Sequence, residues 1–256
     1  MSEGSPSEGP VLPGAESRSV AGGPVGVLVL HGFTGNPATM RPLADALAAA
    51  GFSVELPRLP GHGTVVEDMM RTGFGDWSGA VDAAYVALAG RCERVVVAGL
   101  SMGGTLTCWL AARRPEVAGI VCINALVEAP DPAMVEMVRQ MLAAGETLAP
   151  GVGSDIADPD ARESAYPGSP LGPALSLYEA VEALQDDLPR ISCPVLVLTS
   201  AVDHVVPPSN SDHLAERVAG PVERVTLARS WHVATLDHDK DEIAARTIDF
   251  VGKLAH

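Results

Sequence analysis

Three polar residues of different types, Ser101, Asp203 and His232, stand where they could act together in nucleophilic catalysis. Ser101 lies in the stretch "GLSMGG", a G-x-S-x-G pattern that follows an apolar run and precedes a helical pattern. In a strand-to-helix turn of this kind, glycines permit the tight backbone that holds a serine hydroxyl at the end of its strand. The same letters also fit an ordinary glycine-rich turn, so the rest of the chain must decide.

A serine hydroxyl needs a general base, and the base needs a carboxylate that orients it. Asp203 follows the apolar run 193–200, which places it just past the carboxyl end of a strand, where catalytic groups collect in parallel sheets. His232 follows the next strand pattern, 222–228, in a loop before the last helix. The chain order therefore predicts a triad in which Ser101 attacks, His232 transfers protons and Asp203 orients the imidazole.

Other histidines compete with His232 for the role of base. His204 adjoins Asp203 but would leave that position without a separate acid, His213 falls within a helical pattern, and His238 stands in a solvated stretch. Two further acids precede the last helix: Asp237 and Asp239. We interpret these two as helix-capping residues rather than as the triad acid.

The oxyanion that forms when a serine attacks an ester needs backbone N–H donors. One is expected from Met102, the residue after the nucleophile, and the other from the loop after the first predicted strand. That loop reads "HGFTGNP", so Phe33 is the expected second donor, and His31 is expected to brace the loop through side-chain hydrogen bonds. A glycine-rich turn without a catalytic role is the alternative interpretation.

The elements that must position these residues alternate between strands and helices. The predicted strands are 25–32, 52–57, 94–99, 119–126, 193–200 and 222–228, and the predicted helices are 39–51, 76–90 with Asp76 as N-cap, 102–114, 209–220 and 240–256. This order predicts an α/β fold with a mainly parallel sheet and helices on both faces. Because prolines interrupt the rhythm after 126, we predict a core of 21–126 and 189–256, an inserted cap or lid at 127–188 and a flexible arm at 1–20.

The composition narrows the class of partner. The chain carries 17 basic and 32 acidic side chains, a net charge of −15, which repels nucleic acid and anionic lipid surfaces. The four cysteines lack CxxC spacing, so we expect free, buried thiols and no zinc site. No apolar run reaches the ~20 residues of a membrane helix, and no secretory signal pattern is present. We expect a cytoplasmic protein with at most a transient membrane contact.

Several stretches together carry a family resemblance: "HGFTGNP", "LPRLPGHGTVVEDM", "RTGFGDW", "GLSMGGTL", "DHVVPP" and "SWHVATLDHDKD". With them the chain resembles the bacterial monoacylglycerol lipases and the related small carboxylesterases of the α/β-hydrolase superfamily. The resemblance runs from about Gly23 to the C-terminus and is looser in the inserted segment. It therefore does not carry a preference for acyl chain length.

The resemblance implies an α/β-hydrolase fold, the triad Ser101, His232 and Asp203, and oxyanion donors at Phe33 and Met102, without a metal or a cofactor. The expected reaction cleaves monoacylglycerols to fatty acid and glycerol through an acyl-enzyme on Ser101. A general carboxylesterase for short- to medium-chain esters is the alternative enzyme. A non-catalytic binding module of the same fold is the alternative of another class.

The inserted segment is expected to hold the substrate. Gly153-Ser154-Asp155 matches a "GSD" element of the family, and Glu163 matches an acidic residue after it, which implies that Glu163 binds the glycerol hydroxyls. An ordinary surface charge is the alternative. The side chains expected to line an acyl slot are Met134, Met137, Met141, Leu148 and Val152. The alternative for the three methionines, which share one face of a predicted helix, is that this face packs on the body. If the segment is a lid, its open form would expose an apolar patch.

Overall fold

A seven-stranded sheet forms the centre of the protein, whose computed structural model describes residues 8–151 and 153–255. The described residues form nine strands: β1 (Arg18–Val20), β2 (Val25–Leu30), β3 (Ser53–Leu56), β4 (Arg94–Leu100), β5 (Gly119–Ile123), β6 (Leu148–Pro150), β7 (Gly168–Pro170), β8 (Val195–Ser200) and β9 (Val222–Leu227). Strands β6 and β7 form a separate pair, and the other seven form the central sheet. The order across the sheet is β1-β3-β2-β4-β5-β8-β9, and only β1 runs antiparallel to its neighbour. The predicted mainly parallel sheet is confirmed.

Helices cover both faces of the sheet. The α-helices of the described residues are α1 (Pro37–Ala49), α2 (Val66–Met69), α3 (Phe74–Ala89), α4 (Met102–Arg113), α5 (Pro132–Ala143), α6 (Leu171–Leu184), α7 (Ser209–Arg217) and α8 (Lys240–Lys253). Every residue of β2 is buried, and alternate side chains serve opposite faces. Leu28 and Leu30 pack with α3 and α4, whereas Val27 and Val29 pack with α1 and α8. Burial on both faces explains why the central strands read as continuous apolar runs.

Two helix starts differ from the predicted ones. The first helix begins at Pro37, because the side chain of Asn36 caps it by accepting from the N–H of Ala38. Asp76 is not an N-cap, since α3 begins two residues earlier. Its carboxylate reaches back from the third helical position to the N–H of Gly73, which is the N-cap, at 2.9 Å. Both positions suit an aspartate, so the sequence alone does not separate them.

The interpretation of residues 1–20 as a flexible arm is wrong for residues 8–20. Strand β1 pairs with β3 along its three residues, and the N–H of Leu12 donates to the carbonyl of Gly63 at 2.8 Å. Ala15 is fully buried, and Arg58 forms an ion pair with Glu8 at 2.7 Å. This stretch therefore covers the edge of the sheet.

The insertion predicted at 127–188 contains α5, the antiparallel pair β6–β7 and α6. Its two helices differ in their packing. Helix α6 joins the core cluster of α3 and α4 through Leu177, Val181 and Leu184. Helix α5 buries only Val135 and Val138. The helix near the start of the insertion is therefore the more weakly anchored one.

The four cysteines are free thiols, as predicted. Cys108 on α4 faces Cys122 on β5 with 3.7 Å between the two Sγ atoms, and both are buried, whereas the other two are partly buried. The contact with the Cys122 thiol and the burial of the pair raise the pKa of the Cys108 thiol well above its ordinary value. Cys108 is thus held in its protonated, unreactive form.

Candidate active site

Ser101 occupies a strained turn between β4 and α4. Its backbone has φ 56° and ψ −119°, in a region that residues other than glycine rarely adopt. A methyl group on Gly99 would lie 2.1 Å from the carbonyl oxygen of Gly103, and one on Gly103 would lie 2.3 Å from that of Leu30. The N–H of Ser101 donates to the carbonyl of Ile123 at 3.0 Å. The glycines of the motif are thus required for the close approach that presents Ser101.

His232 and Asp203 form a buried pair at the carboxyl edge of the sheet. Nδ1 of His232 lies 2.7 Å from Oδ2 of Asp203, and their side chains are 8% and 2% exposed. The other carboxylate oxygen accepts from the N–H groups of Val205 and Val206, each at 2.8 Å. Because the carboxylate only accepts, Nδ1 carries the proton and Nε2 is left as the basic atom.

Two cavities meet at Ser101. The larger, of about 450 Å³, extends beneath the insertion and is mainly apolar. The smaller, of about 90 Å³, contains His232, Asp155 and Glu163 in its wall. Phe33 lines both cavities, as Ser101 does. The serine therefore stands between an apolar space and a small acidic one, with the buried histidine on the acidic side.

The loop after β2 approaches Ser101 and is braced by His31, as predicted. His31 is fully buried; its Nε2 accepts from the N–H of Leu59 at 3.2 Å, so its Nδ1–H donates to the carbonyl of Gly32 at 3.0 Å. Burial lowers the pKa of His31 to about 4, which keeps the ring neutral. A methyl group on Gly32 would lie 3.4 Å from Cβ of Ser101. The loop therefore lies close enough to Ser101 to support the prediction that the N–H of Phe33 is an oxyanion donor.

Met102 is the first residue of α4, and its side chain is fully buried. The backbone N–H groups of a first helical turn have no partner within their helix, and the helix dipole favours negative charge there. The position is suited to the second oxyanion donor, which stays a prediction.

Asp237 and Asp239 hold the loop that carries His232. Asp239 stands at the N-cap position of α8 as predicted, but its side chain makes no capping hydrogen bond, and Asp237 lies two residues before that position. Asp239 accepts from the N–H groups of Arg229 and Ser230 at 2.9 and 3.0 Å. Asp237 accepts from the N–H of Trp231 at 2.9 Å. Burial alone would raise the pKa of both carboxyls, but the backbone donors, with the Ser230 and Arg229 side chains at Asp239, hold each pKa below its ordinary value. The position of Asp237 and Asp239 just before α8 suggested a capping role and did not reveal that the loop of His232 folds back over them.

Asn124 is a further positioning residue that the sequence analysis missed. It follows β5 with φ 43°, in the left-handed region that asparagine tolerates better than most residues. Its Nδ2 donates to the carbonyl of His232 at 2.8 Å and to Oγ of Ser200 at 2.9 Å, while its Oδ1 accepts from the N–H of Ser200. The predicted strand 119–126 runs past Asn124, whereas β5 ends at Ile123, so an asparagine inside an apolar strand pattern was the available signal.

His204 has an acid partner that the sequence analysis did not consider, Asp155 of the insertion. Nδ1 of His204 donates to Oδ1 of Asp155 at 2.8 Å. The His204 side chain is 56% exposed and lines neither of the two cavities at Ser101. His213 lies within α7, and His238 is exposed, as predicted. His232 is thus the histidine in contact with the serine cavities.

Glu163 lines the small cavity as a partly buried carboxyl. Burial raises its pKa, although the neighbouring His232 and the hydroxyl of Thr39, 3.4 Å from Oε1, act in the opposite direction. Its backbone N–H donates to Oγ of Ser154 at 3.1 Å. The carboxyl is therefore partly withdrawn from bulk solvent in the wall of the small cavity.

Of the side chains expected to line an acyl slot, the structure places one at the large cavity and the other described ones away from it. Met134 lines the large cavity. Met137 is 54% exposed, Leu148 is 40% exposed, and neither they nor Met141 line the two cavities at Ser101. Val152 lies outside the described residues. Helix α5 buries its two valines instead of its methionines and packs with α6 of the same insertion, so packing of the methionine face on the body is also wrong.

Comparisons with known proteins agree with this geometry. The sequence profile of a family described as "Serine aminopeptidase, S33" matches residues 25–239. The chain is 46% identical over 249 residues to the thermostable monoacylglycerol lipase of Bacillus sp. (strain H-257), covering 96% of this chain and 98% of that protein. It is 26% identical to a carboxylesterase of Bacillus subtilis (strain 168), covering 91% and 94% of the two chains.

Among solved structures, one from the metagenome-derived lipolytic enzymes LipS and LipT has a TM-score of 0.91 and 41% identity. The match covers 95% of this chain and 100% of that one. The fold is thus the α/β-hydrolase fold.

Proposed function

Because the chain belongs to the serine hydrolase family described as "Serine aminopeptidase, S33", we propose that it is a monoacylglycerol lipase that releases fatty acid and glycerol. The observation that carries this proposal is the position of Ser101 between a large apolar cavity and a small acidic one. The relative at 46% identity, a thermostable monoacylglycerol lipase, supports it.

In the proposed reaction, Oγ of Ser101 attacks the ester carbonyl while Nε2 of His232 takes the hydroxyl proton. Asp203 holds the imidazole by its hydrogen bond to Nδ1 and stabilises the imidazolium that forms. The N–H groups of Phe33 and Met102 stabilise the oxyanion, each contributing about 3 kcal/mol to the lowering of the barrier. His232 then protonates the leaving glycerol oxygen and activates the water that releases the fatty acid.

The two cavities assign the two ends of the substrate. The acyl chain occupies the large cavity, where Leu126, Leu177 and Met134 offer apolar contact. The glycerol occupies the small cavity, where Glu163 accepts hydrogen bonds from its hydroxyls. A cavity of about 90 Å³ has no room for a second acyl chain, so di- and triacylglycerols are poor substrates.

Hydrolysis of mono-, di- and trioleoylglycerol by the purified protein tests the proposal, with p-nitrophenyl esters of increasing chain length alongside. We expect cleavage of monooleoylglycerol and of medium and long simple esters, and loss of all activity in Ser101→Ala. Activity on short esters alone would make the protein a general carboxylesterase; one relative is named a carboxylesterase. A wild type no faster than Ser101→Ala on every ester would favour the non-catalytic binding module.

A second experiment addresses the role of Glu163. Glu163→Gln keeps the shape of the side chain but loses the negative charge that strengthens its hydrogen bonds from the glycerol hydroxyls. We expect KM for monooleoylglycerol to rise about tenfold, the equivalent of one charge-assisted hydrogen bond, and KM for an ethyl ester of the same acid to stay unchanged. Glu216→Gln, on the exposed surface of α7, is the matched control. An equal rise for both substrates would contradict a glycerol site at Glu163.

The encounter with lipid is proposed to be transient and to involve α5. Met134 and Met137 present exposed apolar surface next to the acyl cavity. The net charge of −15 gives no general attraction to anionic lipid. Within residues 8–151 and 153–255, no helix combines the length and the apolar character of a membrane span. A cytoplasmic location stays a prediction from the sequence.

A further inference from the structure

We propose that Asp155, supplied by the insertion, is a positioning residue that ties the loop of the catalytic histidine to the loop of the triad acid. This inference rests on the proposed assignment of Ser101, His232 and Asp203 as the triad. It concerns how the imidazole is held, and it assigns a role in the reaction to a residue far from the triad in the sequence.

One carboxylate reaches both loops. Oδ2 of Asp155 accepts from the backbone N–H of His232 at 3.1 Å and from that of His204 at 3.2 Å. Oδ1 accepts from Nδ1 of the same His204 at 2.8 Å. Since His204 is the residue after Asp203, the carboxylate joins the base of the triad to the immediate neighbour of the acid. The carbonyl of Asp155 adds a bond to the N–H of Val233 at 3.0 Å.

The segment around Asp155 is anchored, so the carboxylate is held in place. Ile156 is buried in the core cluster that also contains Val233. The N–H groups of Ala157 and Asp158 donate to the two carboxylate oxygens of Asp237, at 2.8 and 3.0 Å. The side chain of Asp155 is itself only 10% exposed. An anchored acceptor of this kind limits the positions that the His232 backbone can take.

A positioning residue and a substrate-binding residue predict different kinetics. Asp155 lines the small cavity, so it could instead contact the alcohol part of the substrate. Loss of positioning lowers kcat on every ester, because the imidazole serves every ester. Loss of an alcohol contact raises KM, and only for substrates that carry glycerol.

The experiment compares Asp155→Ala, Asp155→Asn and wild type on monooleoylglycerol and on a p-nitrophenyl ester of medium chain length. We expect Asp155→Ala to lower kcat on both substrates by a similar factor, about 10- to 100-fold, the cost of a small misplacement of a catalytic group. KM should change by less than about twofold on either substrate. Asp155→Asn keeps an oxygen acceptor for the N–H of His232 and should recover part of kcat.

Matched controls separate positioning from a general loss of structure. Asp160→Ala removes an exposed carboxylate a few residues further along the same segment and should leave kcat unchanged. His204→Phe keeps a ring against Trp231, 4.9 Å away, but removes the hydrogen bond to Oδ1. We expect it to lower kcat about threefold on both substrates, with an unaltered thermal unfolding midpoint. This variant tests the tie even where Asp155→Ala does not fold.

The possible outcomes distinguish this inference from the proposed function. A rise of KM confined to monooleoylglycerol would overturn positioning in favour of alcohol binding. An unchanged kcat in folded Asp155→Ala, or in His204→Phe where the alanine variant does not fold, would overturn the tie alone. A wild type without esterase activity would contradict the proposed function, and this inference with it. Equal loss of kcat on both substrates with partial rescue by asparagine supports the tie.

Discussion

Two regions of the insertion differ in how tightly they are bound to the body of the protein. The docked segment, residues 153–166, lies against the loop of His232 through Asp155, Ile156 and two amides bound by Asp237. The outer segment, residues 128–150, contains α5 and β6 and buries only two valines of its helix. The contrast is one of bonding, because the docked segment exchanges buried polar contacts with the body while the outer segment makes mainly exposed ones.

The far end of the docked segment shows the same pattern of buried polar contacts. The hydroxyl of Tyr166 donates to the carbonyl of Gly61 at 2.8 Å and accepts from the N–H of Thr64 at 3.0 Å. In the outer segment, Arg139 pairs with Glu179 at 3.1 Å, but both side chains are about half exposed. Such surface pairs contribute little to stability.

The difference teaches which part of the insertion can act as a lid. If such a segment left the body, carboxylates and amides that stay buried would lose their hydrogen-bond partners, which is costly. A helix that buries only two valines can shift at small cost, and α5 borders the large cavity through Met134. We therefore expect the docked segment to be a fixed wall of the site and the outer segment to be the mobile one.

The largest effect is expected from Asp237→Ala, which breaks the tie between the docked segment and the histidine loop. Its carboxylate accepts from four backbone N–H groups, those of Ala157, Asp158, Trp231 and His238. We expect the free energy of unfolding to fall by about 3 kcal/mol or more. Denaturant unfolding measures it, with the exposed Glu146→Ala of the outer segment, expected within about 0.5 kcal/mol of wild type, as control. Similar losses in both variants would erase the contrast.

The pH dependence of that loss sharpens the comparison. The backbone donors hold the pKa of Asp237 below its ordinary value of 3.8, despite burial. A carboxyl with a lowered folded-state pKa stabilises the protein above its unfolded-state pKa, and this stabilisation disappears as pH falls through the folded-state value. The difference in unfolding free energy between wild type and Asp237→Ala should thus be constant from pH 7 to about pH 4 and narrow only below. Narrowing already near pH 6 would contradict it.

A smaller effect is expected from Tyr166→Phe, which removes a buried hydroxyl with two partners at the end of the docked segment. Loss of this group leaves a donor and an acceptor unpaired, so the free energy of unfolding should fall by about 1.5 kcal/mol. Tyr178→Phe is the control, because the Tyr178 hydroxyl makes no hydrogen bond to any residue that the structure describes. Equal stability of the two variants would be the unexpected result.

The smallest effect on stability is expected in the outer segment, from Met137→Gln. The side chain is exposed, so the free energy of unfolding should change by less than about 0.5 kcal/mol. Activity on emulsified monooleoylglycerol should fall about threefold, because an apolar side chain that meets the lipid surface is lost. Activity on a soluble p-nitrophenyl ester of medium chain length should not change. Val86→Thr, an exposed apolar position on α3, should alter neither activity.

The candidate triad could be predicted because its three members each follow a strand that is recognisable on its own. Ser101, Asp203 and His232 come after β4, β8 and β9, and the carboxyl ends of parallel strands meet at one edge of a sheet. The buried strands read as apolar runs because both of their faces are covered. Local patterns and the order of the elements were sufficient for this part.

The residues that hold the triad could not be predicted in the same way. Asp155 binds amides 49 and 77 positions away, and Asn124 binds Ser200 and the His232 carbonyl at separations of 76 and 108. A polar residue in a loop has many possible partners at such distances, and the sequence does not rank them. Strand β1 was not predicted for a similar reason, since its three residues have no apolar pattern and pair only with a distant strand.

The chemistry of this protein and its place on the sheet follow from local sequence, because apolar runs and glycine spacing dictate strands and turns over a few residues. The side of α5 that packs, the role of Asp237 and the bond from Asp155 to His232 were decided only in the folded chain. The physical reason is that a buried amide must find an acceptor, and which carboxylate reaches it depends on how distant loops are brought together.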